Sequence, residues 1–358
     1  MKEQAQDKRA DNPRLMTRRQ LERQERSRRA RRVLWLFIGV ALLIGVTIPA
    51  TGYYLVYVQP LQETIVTVNN VSYNMDYVLR RARRTLVQAA SIGSADPEAS
   101  TDIIMGVLQE VQQDQIVLQA APREGIAVTD QDIRQRLDAE LGSSLVGEND
   151  PNRRDQSFDQ LYKARLNVLK FSDKEYKDII KAQIIRTKLE DRLKASLPVH
   201  DEQVHVLMIT VKGQNEAQQV LNRLRAGEDF GFVARDVSQD VATKNNGGDY
   251  GWYARGMKPD FESTWFALKA GQVSAPVYVA ETIYIFKIAE REEARELAEE
   301  QRRILSISRF QTWMEEERPR HQVSQVWDQT RYLYVHDKLH NDPVLKAYRE
   351  QRDAASQA

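Results

Sequence analysis

Residues 33–58 form the longest apolar stretch of the chain, VLWLFIGVALLIGVTIPATGYYLVYV, and carry no charge. At about 1.5 Å of rise per residue, a helix of this length crosses the ~30 Å hydrocarbon core of a membrane. Tyr53, Tyr54 and Tyr57 lie near one end, where interfacial aromatic residues are common. A helix that packs on the core of a soluble domain usually has a polar face toward solvent. This stretch has no such face, which disfavours that alternative. We therefore predict a transmembrane helix over residues 33–58.

A cleaved signal peptide is the alternative for this stretch, because Ala50-Thr51-Gly52 resembles a cleavage site. The apolar part of such a signal is usually only about 7–15 residues long, however. Residues 1–32 hold 12 Lys and Arg against 5 Asp and Glu, and the next basic residue is Arg80. The positive-inside rule then places residues 1–32 in the cytoplasm and residues 59–358 outside it. We expect the basic tail to contact anionic lipid rather than nucleic acid.

Apolar residues at helical spacing dominate residues 59–198, for which we predict a helical domain. A short hairpin precedes the helices at residues 65–73, where β-forming residues flank Asn69-Asn70. Ser172 to Glu175 form a capping box that opens a long helix. Further helices are predicted over residues 74–90 and 103–118 and from Thr129, with loops at residues 91–101 and 143–157.

Residues 199–292 have a different pattern, in which strand-like runs enclose a helix. The helix covers residues 216–226 and ends at Gly227, a natural C-cap. Residues 293–358 are highly charged and are predicted to be helical and to pack on the helical domain. The predicted fold class is α+β, with a transmembrane helix, mostly α-helical arms and an inserted domain built on a small antiparallel sheet. Strands are predicted over residues 204–211, 275–279 and 283–288.

Composition narrows the possible chemistry. The chain has 52 Lys and Arg and 51 Asp and Glu, so its net charge points to no particular partner. It has no cysteine, which excludes disulfides, thiolate metal sites and cysteine nucleophiles. His336 and His340 have the spacing of two metal ligands on a helix, but no third ligand is evident. We therefore predict a solvated helix face there and neither a metal nor a cofactor.

An ordered series of motifs between residues 205 and 277 resembles the parvulin-type peptidyl-prolyl cis-trans isomerases. The series covers nearly the whole inserted domain at the family's spacings, which makes the resemblance specific. Its members are His205-Val206-Leu207, Gly227 to Phe230, Ser238-Gln239-Asp240, Gly247 to Trp252, Met257, Phe261-Glu262, Phe266 to Leu268, Gly271 and Ser274 to Val277.

The resemblance implies a cofactor-free isomerase with an apolar pocket for the proline ring. Met257 and Phe261 match the family's proline-contacting positions, and Tyr250 adds a wall; core packing is the alternative for Met257 and Phe261. His205 and Asp240 match its central polar positions, with a satisfied core histidine as the alternative for His205.

Tyr284 departs from the family pattern. It stands where the family carries a second histidine, and its hydroxyl is expected to hydrogen-bond to His205. Because a tyrosine is larger and does not titrate near neutrality, activity is expected to be reduced or absent.

The Gly-rich turn Gly247 to Trp252 is expected to be architectural, because no Lys-Ser/Thr pair or helix start follows it as in a phosphate-binding loop. The connection after the first strand has one basic residue, Lys212, so no preference for phosphorylated substrates is expected.

The flanking segments resemble the membrane-anchored foldases and chaperones of the SurA/PrsA/PpiD-like group. The segments that carry this resemblance are Val68-Asn69-Asn70, Gly125 to Asp130 and the helix from Ser172 to Leu193. The resemblance implies unfolded or proline-containing polypeptides as clients and association with secretion machinery.

Three functions remain open from the sequence. The first is a membrane-anchored, extracytoplasmic prolyl isomerase that assists folding of secreted or envelope proteins. The second is a non-catalytic holdase with a degenerate parvulin domain, and the third is a scaffold of a secretion complex. The corresponding organisation is a tail 1–32, a span 33–58, a chaperone-like domain 59–198, an isomerase domain 199–292 and a C-terminal segment 293–358.

Overall fold

The computed structural model describes Trp35 and residues 42–91, 101–141 and 151–357. The basic segment 1–32 and, apart from Trp35, residues 33–41 of the predicted span lie outside the described residues. The chain divides into two compact units. One comprises the residues up to Thr64 with Asn74 to Asp76, and the other comprises Ile65 to Tyr73 and the chain from Tyr77 onward.

Helix α1, Leu42–Gln62, is long and apolar enough to cross a membrane and is the one such helix in the described part of the chain. Its side chains are exposed from Leu42 to Tyr57. Tyr53 and Tyr57 stack with ring centroids 5.1 Å apart, one helical turn from each other. The helix thus continues four residues beyond the predicted end of the span at residue 58.

The helical domain follows a two-stranded hairpin, as predicted. Asn69 lies in the hairpin turn with φ of +53°, a conformation that asparagine tolerates. Its Oδ1 accepts a hydrogen bond of 2.8 Å from the backbone of Gln322. The elements are β1 Thr64–Val68, β2 Val71–Asn74, α2 Met75–Ser91, α3 Thr101–Ala120, α4 Asp130–Leu141, α5 Pro151–Leu169 and α6 Asp173–Ala195.

Local capping signals in this domain are confirmed. Thr129 Oγ1 accepts from the amide of Asp132 at 3.1 Å, and Ser172 and Glu175 form the predicted reciprocal capping box.

The loop predicted over residues 143–157 is wrong in its second half, because α5 begins at Pro151. Proline suits the first turn of a helix, where its missing N–H has no intrahelical acceptor.

Arginines of α2 hold this helix against its neighbours. Arg80 donates two hydrogen bonds, of 2.7 and 2.9 Å, to the carboxylate of Glu175. These bonds lower the pKa of Glu175 to about 2. Arg81 is buried and pairs with Asp114 at 2.6 Å and with Glu110 at 3.1 Å. The helical domain therefore relies on charge pairs as well as on apolar contacts.

The inserted domain is a four-stranded antiparallel sheet in the order β4-β3-β6-β5. Helices α7 and α8 cover one face of the sheet, where Val220 and Phe230 join Ile209 and Ile285 in one core. Helix α9 covers the other face. Its elements are β3 His200–Val211, α7 Gln214–Arg225, α8 Phe230–Val237, β4 Asp249–Ala254, α9 Pro259–Ala267, β5 Val277–Val279 and β6 Thr282–Glu296.

The α+β fold class is confirmed, but the last part of the chain differs from its prediction. Strand β6 continues to Glu296, beyond residue 292, because it stays paired with β3 as far as His200. Residues 323–325 form a strand rather than a helix and pair with β1 in a sheet of order β2-β1-β7. The elements are α10 Glu299–Glu317, β7 Val323–Gln325, α11 Gln329–His340 and α12 Pro343–Gln357.

The Gly-rich turn brings β4 against β3, as an architectural turn should. Gly247, Gly248 and Gly251 all have positive φ angles, of 72°, 80° and 102°. The carbonyl of Gly248 accepts a hydrogen bond of 2.7 Å from the amide of Met208. A Cβ atom on Gly248 would lie 2.5 Å from the backbone oxygen of Met208, whereas one on Gly251 would meet nothing within 4 Å.

We predict that Gly248→Ala destabilises the protein much more than Gly251→Ala. Both changes put alanine at positive φ, which costs about 1–3 kcal/mol, but only Gly248→Ala adds a backbone clash. Urea unfolding followed by circular dichroism measures the difference. Equal losses in the two variants would show that close approach of the turn to β3 is not required.

Candidate active site

The pairing of β3 with β6 gathers four side chains on the face of the sheet that α9 covers. Met208 lies opposite Phe286 and Thr210 lies opposite Tyr284. Side chains two residues apart on a strand point to the same face, so all four share this face.

Phe261 is at the centre of an aromatic cluster on this face. Its ring centroid lies 5.0 Å from that of Tyr284, 5.0 Å from that of Phe286 and 5.4 Å from that of Trp265. Phe261 and Trp265 are four residues apart on α9 and therefore lie on one side of the helix. Trp265 and Phe286 are fully buried, whereas Tyr284 is half-buried. Phe261 is itself buried, so Tyr284 carries the cluster toward the surface.

Two tyrosines of β4 extend the cluster. Tyr250 and Tyr253 have ring centroids 5.0 Å apart, and Tyr253 lies 4.9 Å from Trp265. Burial raises the pKa of Tyr253, and the neighbouring Tyr250 raises it further. This hydroxyl is therefore neutral at physiological pH. Tyr250 lies at the side of the cluster, and its role as a pocket wall stays a prediction.

Asp240 lies in the turn that follows α8, beside the end of β3. The amide of Gln239 donates a 2.8 Å hydrogen bond to the carbonyl of Thr210, the residue opposite Tyr284. Asp240 Oδ2 accepts from the amide and the hydroxyl of Thr243, at 2.9 and 2.5 Å. One carboxylate oxygen therefore holds the turn, and Oδ1 has no hydrogen-bond partner among the described residues.

Met257 lies in a different cluster from Phe261. It packs with Leu197, Leu297 and Leu305, where the inserted domain meets α10. Its sulfur lies 3.2 Å from the amide nitrogen of Ala254. Met257 is therefore packed in a core cluster, whereas Phe261 and Tyr250 both contact Trp265. The assignment of these three residues to a proline pocket stays a prediction.

His205 does not contact Tyr284, and the predicted hydrogen bond between them is wrong. The register places His205 opposite Glu290 and Tyr284 opposite Thr210, five positions further along β3. At about 3.4 Å per residue, this separates them by roughly 17 Å. The sequence motif did not show this separation because it contains no information on strand register.

His205 instead binds the Gly-rich turn. Its Nε2 lies 2.8 Å from Oδ1 of Asp249, and its ring stacks on Trp252 with centroids 5.2 Å apart. Glu290 Oε1 lies 3.9 Å from Nδ1. His205 thus links β3 to β4 through a partner that the sequence analysis did not name, and its role in the site stays a prediction.

Sequence reasoning missed Met208, Asp249 and Trp265 as members of these two groups. Trp265 follows Phe261 by one helical turn, so its spacing was an available signal. Met208 has no such signal, because only the register shows that it lies opposite Phe286. Asp249 lies in the Gly-rich turn, and its negative charge was the available signal for a partner of His205.

The described residues contain no group of three or more His, Asp or Glu side chains placed to hold a metal ion. His336 and His340 lie on α11 with their rings stacked at 6.2 Å.

Two sequence families match this chain. Residues 208–290 match the Rotamase family, described as a PPIC-type PPIASE domain, and residues 25–190 match the SurA-like N-terminal domain. The chain carries a parvulin domain and a SurA-like N-terminal domain. The family resemblance is therefore confirmed, and the match begins at Met208, so His205 lies outside it.

Foldase proteins named PrsA are among the relatives of this parvulin-containing chain. The one from Caldanaerobacter subterraneus subsp. tengcongensis is 31% identical over 182 residues, which are 51% of this chain and 55% of that protein. The one from Clostridium kluyveri is 36% identical over 146 residues, 39% and 43% of the two chains. The chain thus spans about half the length of these curated relatives.

A solved structure of the peptidylprolyl isomerase PrsA from Bacillus anthracis overlaps with 69% of this chain and 97% of its own. The overlap has a TM-score of 0.38 and 20% sequence identity. An overlap this weak carries no information about the site of the parvulin domain, which rests on the geometry above.

We predict that Phe261 and Tyr284 are energetically coupled. A double-mutant cycle of Phe261→Leu and Tyr284→Leu should give a coupling of about 1 kcal/mol, as aromatic pairs do beyond their buried area. Urea unfolding measures it. The control cycle combines Phe261→Leu with Tyr278→Leu, a change at an exposed tyrosine of β5, and should give no coupling. Equal coupling in both cycles would remove Tyr284 from the aromatic cluster.

Proposed function

We propose that the chain is a membrane-anchored, extracytoplasmic peptidyl-prolyl isomerase that assists folding of secreted or envelope proteins. The observation that carries this proposal is the aromatic cluster of Phe261 and the half-buried Tyr284, together with the Asp240 turn that is bonded to the end of β3. An apolar surface next to a carboxylate with a free oxygen has the components that rotation about an X–Pro bond needs.

The barrier to this rotation, about 18–20 kcal/mol, comes from amide resonance. A catalyst must bind the twisted amide better than the planar one. Phe261, Tyr284 and Tyr250 pack against the proline ring and exclude water from the amide. The planar amide carries more negative charge on its carbonyl oxygen than the twisted amide does. Asp240 Oδ1 beside that oxygen therefore disfavours the planar form. No cofactor takes part.

We predict that Phe261→Ala and Asp240→Ala lower kcat/KM for a proline peptide at least about tenfold, which corresponds to about 1.4 kcal/mol of transition-state stabilisation. A protease-free assay on the full chain measures the rate. Tyr278→Ala, an exposed tyrosine on the neighbouring strand, is the matched control and should stay within about twofold. Tyr284→His tests the departure from the family pattern and should raise the rate. An unmodified chain without turnover would reject the isomerase.

A non-catalytic holdase is the second candidate, and a specific observation favours it. Met208 and Thr210 of β3 lie opposite Phe286 and Tyr284 of β6, so these two strands place no histidine among the rings of the cluster. The helical domain offers a separate groove of about 590 Å³ between α4, α5 and α6, whose lining includes Leu137, Phe158 and Tyr162. Suppressed aggregation of a proline-free client, without turnover of proline peptides, would support this function.

The membrane anchor is proposed for residues 33–58. The exposed, apolar α1 supports it, and the basic residues 1–32 support a cytoplasmic N-terminus. The proposed partners are membrane lipid along the span and polypeptide clients outside the cytoplasm. Secretion machinery is a third partner, which would contact either the tail or the domain outside the membrane. Nucleic acid is not among the proposed partners.

We predict opposite labelling of two introduced cysteines by a membrane-impermeant maleimide. The chain has no native cysteine, so Ser27→Cys and Ser196→Cys each give one reactive thiol. The cysteine at position 196 should react in intact cells from which any outer membrane has been removed, and the one at position 27 only after lysis. Reaction of both in intact cells would contradict the proposed topology, and loss of the tail from the mature chain would indicate a cleaved signal peptide.

A further inference from the structure

Helix α10 of the C-terminal segment binds the edge strand β4 of the inserted domain. Strand β4 is the first strand in the order β4-β3-β6-β5, so it pairs with a neighbouring strand on one side only. Nε2 of Gln301, in the first turn of α10, donates a 3.0 Å hydrogen bond to the backbone carbonyl of Trp252 in β4. A side chain from outside the inserted domain therefore holds its edge strand.

The amide of Gln301 is itself fixed on both sides. Its Oε1 accepts a 2.9 Å hydrogen bond from the backbone of Ala298, and its Nε2 also donates to Oε1 of Gln203 at 2.9 Å. Gln203 is fully buried in β3 and donates to the carbonyls of Arg295 and Glu296 in β6. Because the oxygen and the nitrogen of both amides have partners, this network is rigid. It joins α10 to three strands of the sheet.

A second contact joins α10 to the turn that follows β4. Leu305 of α10 is buried together with Ala254 and Met257 of this turn. A Cβ atom on Gly256 would lie 3.3 Å from Cδ2 of Leu305, so the backbone of the turn packs directly against this side chain. Leu305 therefore fills the space toward which the turn could otherwise move.

The same turn fixes the start of α9. The amide of Gly256 donates a 2.6 Å hydrogen bond to Oε2 of Glu262, which lies in the first turn of α9 beside Phe261. Tyr250 lies in β4, on the other side of the turn. The two contacts of α10 thus act on the segments that bring Tyr250 and Phe261 to the aromatic cluster.

We propose that α10 supports the candidate active site, with Gln301 and Leu305 as positioning residues for the proline pocket. Gln301 holds β4 and thereby Tyr250, and Leu305 holds the turn before α9 and thereby Phe261. This role rests on the proposed isomerase function and adds to it a means of regulation. A shift of α10 changes the pocket even when the substrate does not touch the helical arms.

Small shifts are enough for such an effect. A gap of about 0.5–1 Å between two packed atoms forfeits roughly a quarter to a half of their attraction. Misplacement of a substrate by about 1 Å can lower a rate by about a hundredfold. A support for an apolar pocket therefore has to prevent only small movements, which one hydrogen-bonded amide and one buried leucine can do.

The test follows turnover of the peptide acetyl-Ala-Leu-Pro-Phe-amide by the full chain in detergent micelles, with exchange NMR spectroscopy. Gln301→Glu keeps the acceptor for Ala298 but removes the donors to Trp252 and Gln203. Glutamate suits this position near a helix start, so the variant should fold. Gln301→Glu and Leu305→Ala should each lower kcat/KM at least about tenfold.

Two matched controls carry the same changes away from the inserted domain. Gln311→Glu alters an exposed glutamine of α10, and Leu339→Ala alters a buried leucine of α11. Both should leave kcat/KM within about twofold. Hydrogen–deuterium exchange adds a readout of position, because Gln301→Glu should speed exchange over residues 249–262 and leave α7 and α8 unchanged.

Turnover that Gln301→Glu and Leu305→Ala leave within about twofold of the unmodified chain would overturn the positioning role alone. An unmodified chain without turnover would reject the isomerase, and the Kd of the same peptide then decides on the positioning role. A pocket held by α10 should bind the peptide about tenfold more weakly in both variants. Equal Kd values, or no binding to any of the chains, would overturn it.

Discussion

Antiparallel pairing of β3 with β6 is the interaction on which the inserted domain depends. The register runs from His200 opposite Glu296 to Val211 opposite Ile283. It places Ile285 on the face covered by α7 and α8 and Phe286 on the face covered by α9. Because side chains alternate, a slip of one residue would exchange these two and dismantle both the core and the aromatic cluster.

The paired strands β3 and β6 also join the parvulin domain to the helical arms. Leu197 and Leu297 lie just beyond its two ends and pack together with Leu305 of α10. Met257 packs at this junction. A residue that the family resemblance assigns to the proline pocket is therefore in contact with the helical arm. The segment between β4 and α9 therefore connects the junction with α10 to the helix that carries Phe261.

Features set by nearby residues could be predicted from the sequence. Each of these features depends on residues within a few positions of the backbone groups concerned. They are the capping boxes at Thr129 and Ser172, the turn at Asn69 and the C-cap at Gly227. The aromatic site could be predicted in part, since Phe261 and Tyr250 lie in motifs. Features set by partners far along the chain could not be predicted. The separation of His205 from Tyr284 depends on register, and strand β7 exists because β1 pairs with it.

A free carboxylate oxygen and an aromatic wall are what this site has in place of paired imidazoles. Rotation about a peptide bond involves no proton transfer in its simplest form, so loss of titratable groups does not remove the means of catalysis. In the proposed mechanism it shifts the burden to the shape of the aromatic cluster and to the carboxylate of Asp240.

The pairing of β1 with β7 has a consequence for the order in which the chain folds during synthesis. Val66 and Gln325 are partners although 259 positions separate them (325 − 66). A chain that emerges from its N-terminal end exposes β1 long before its partner strand arrives. The parvulin domain, whose strands lie between these two points, completes its own sheet first. The sheet β2-β1-β7 is therefore completed only after nearly the whole chain has emerged, and until then β1 has a partner strand on one side only.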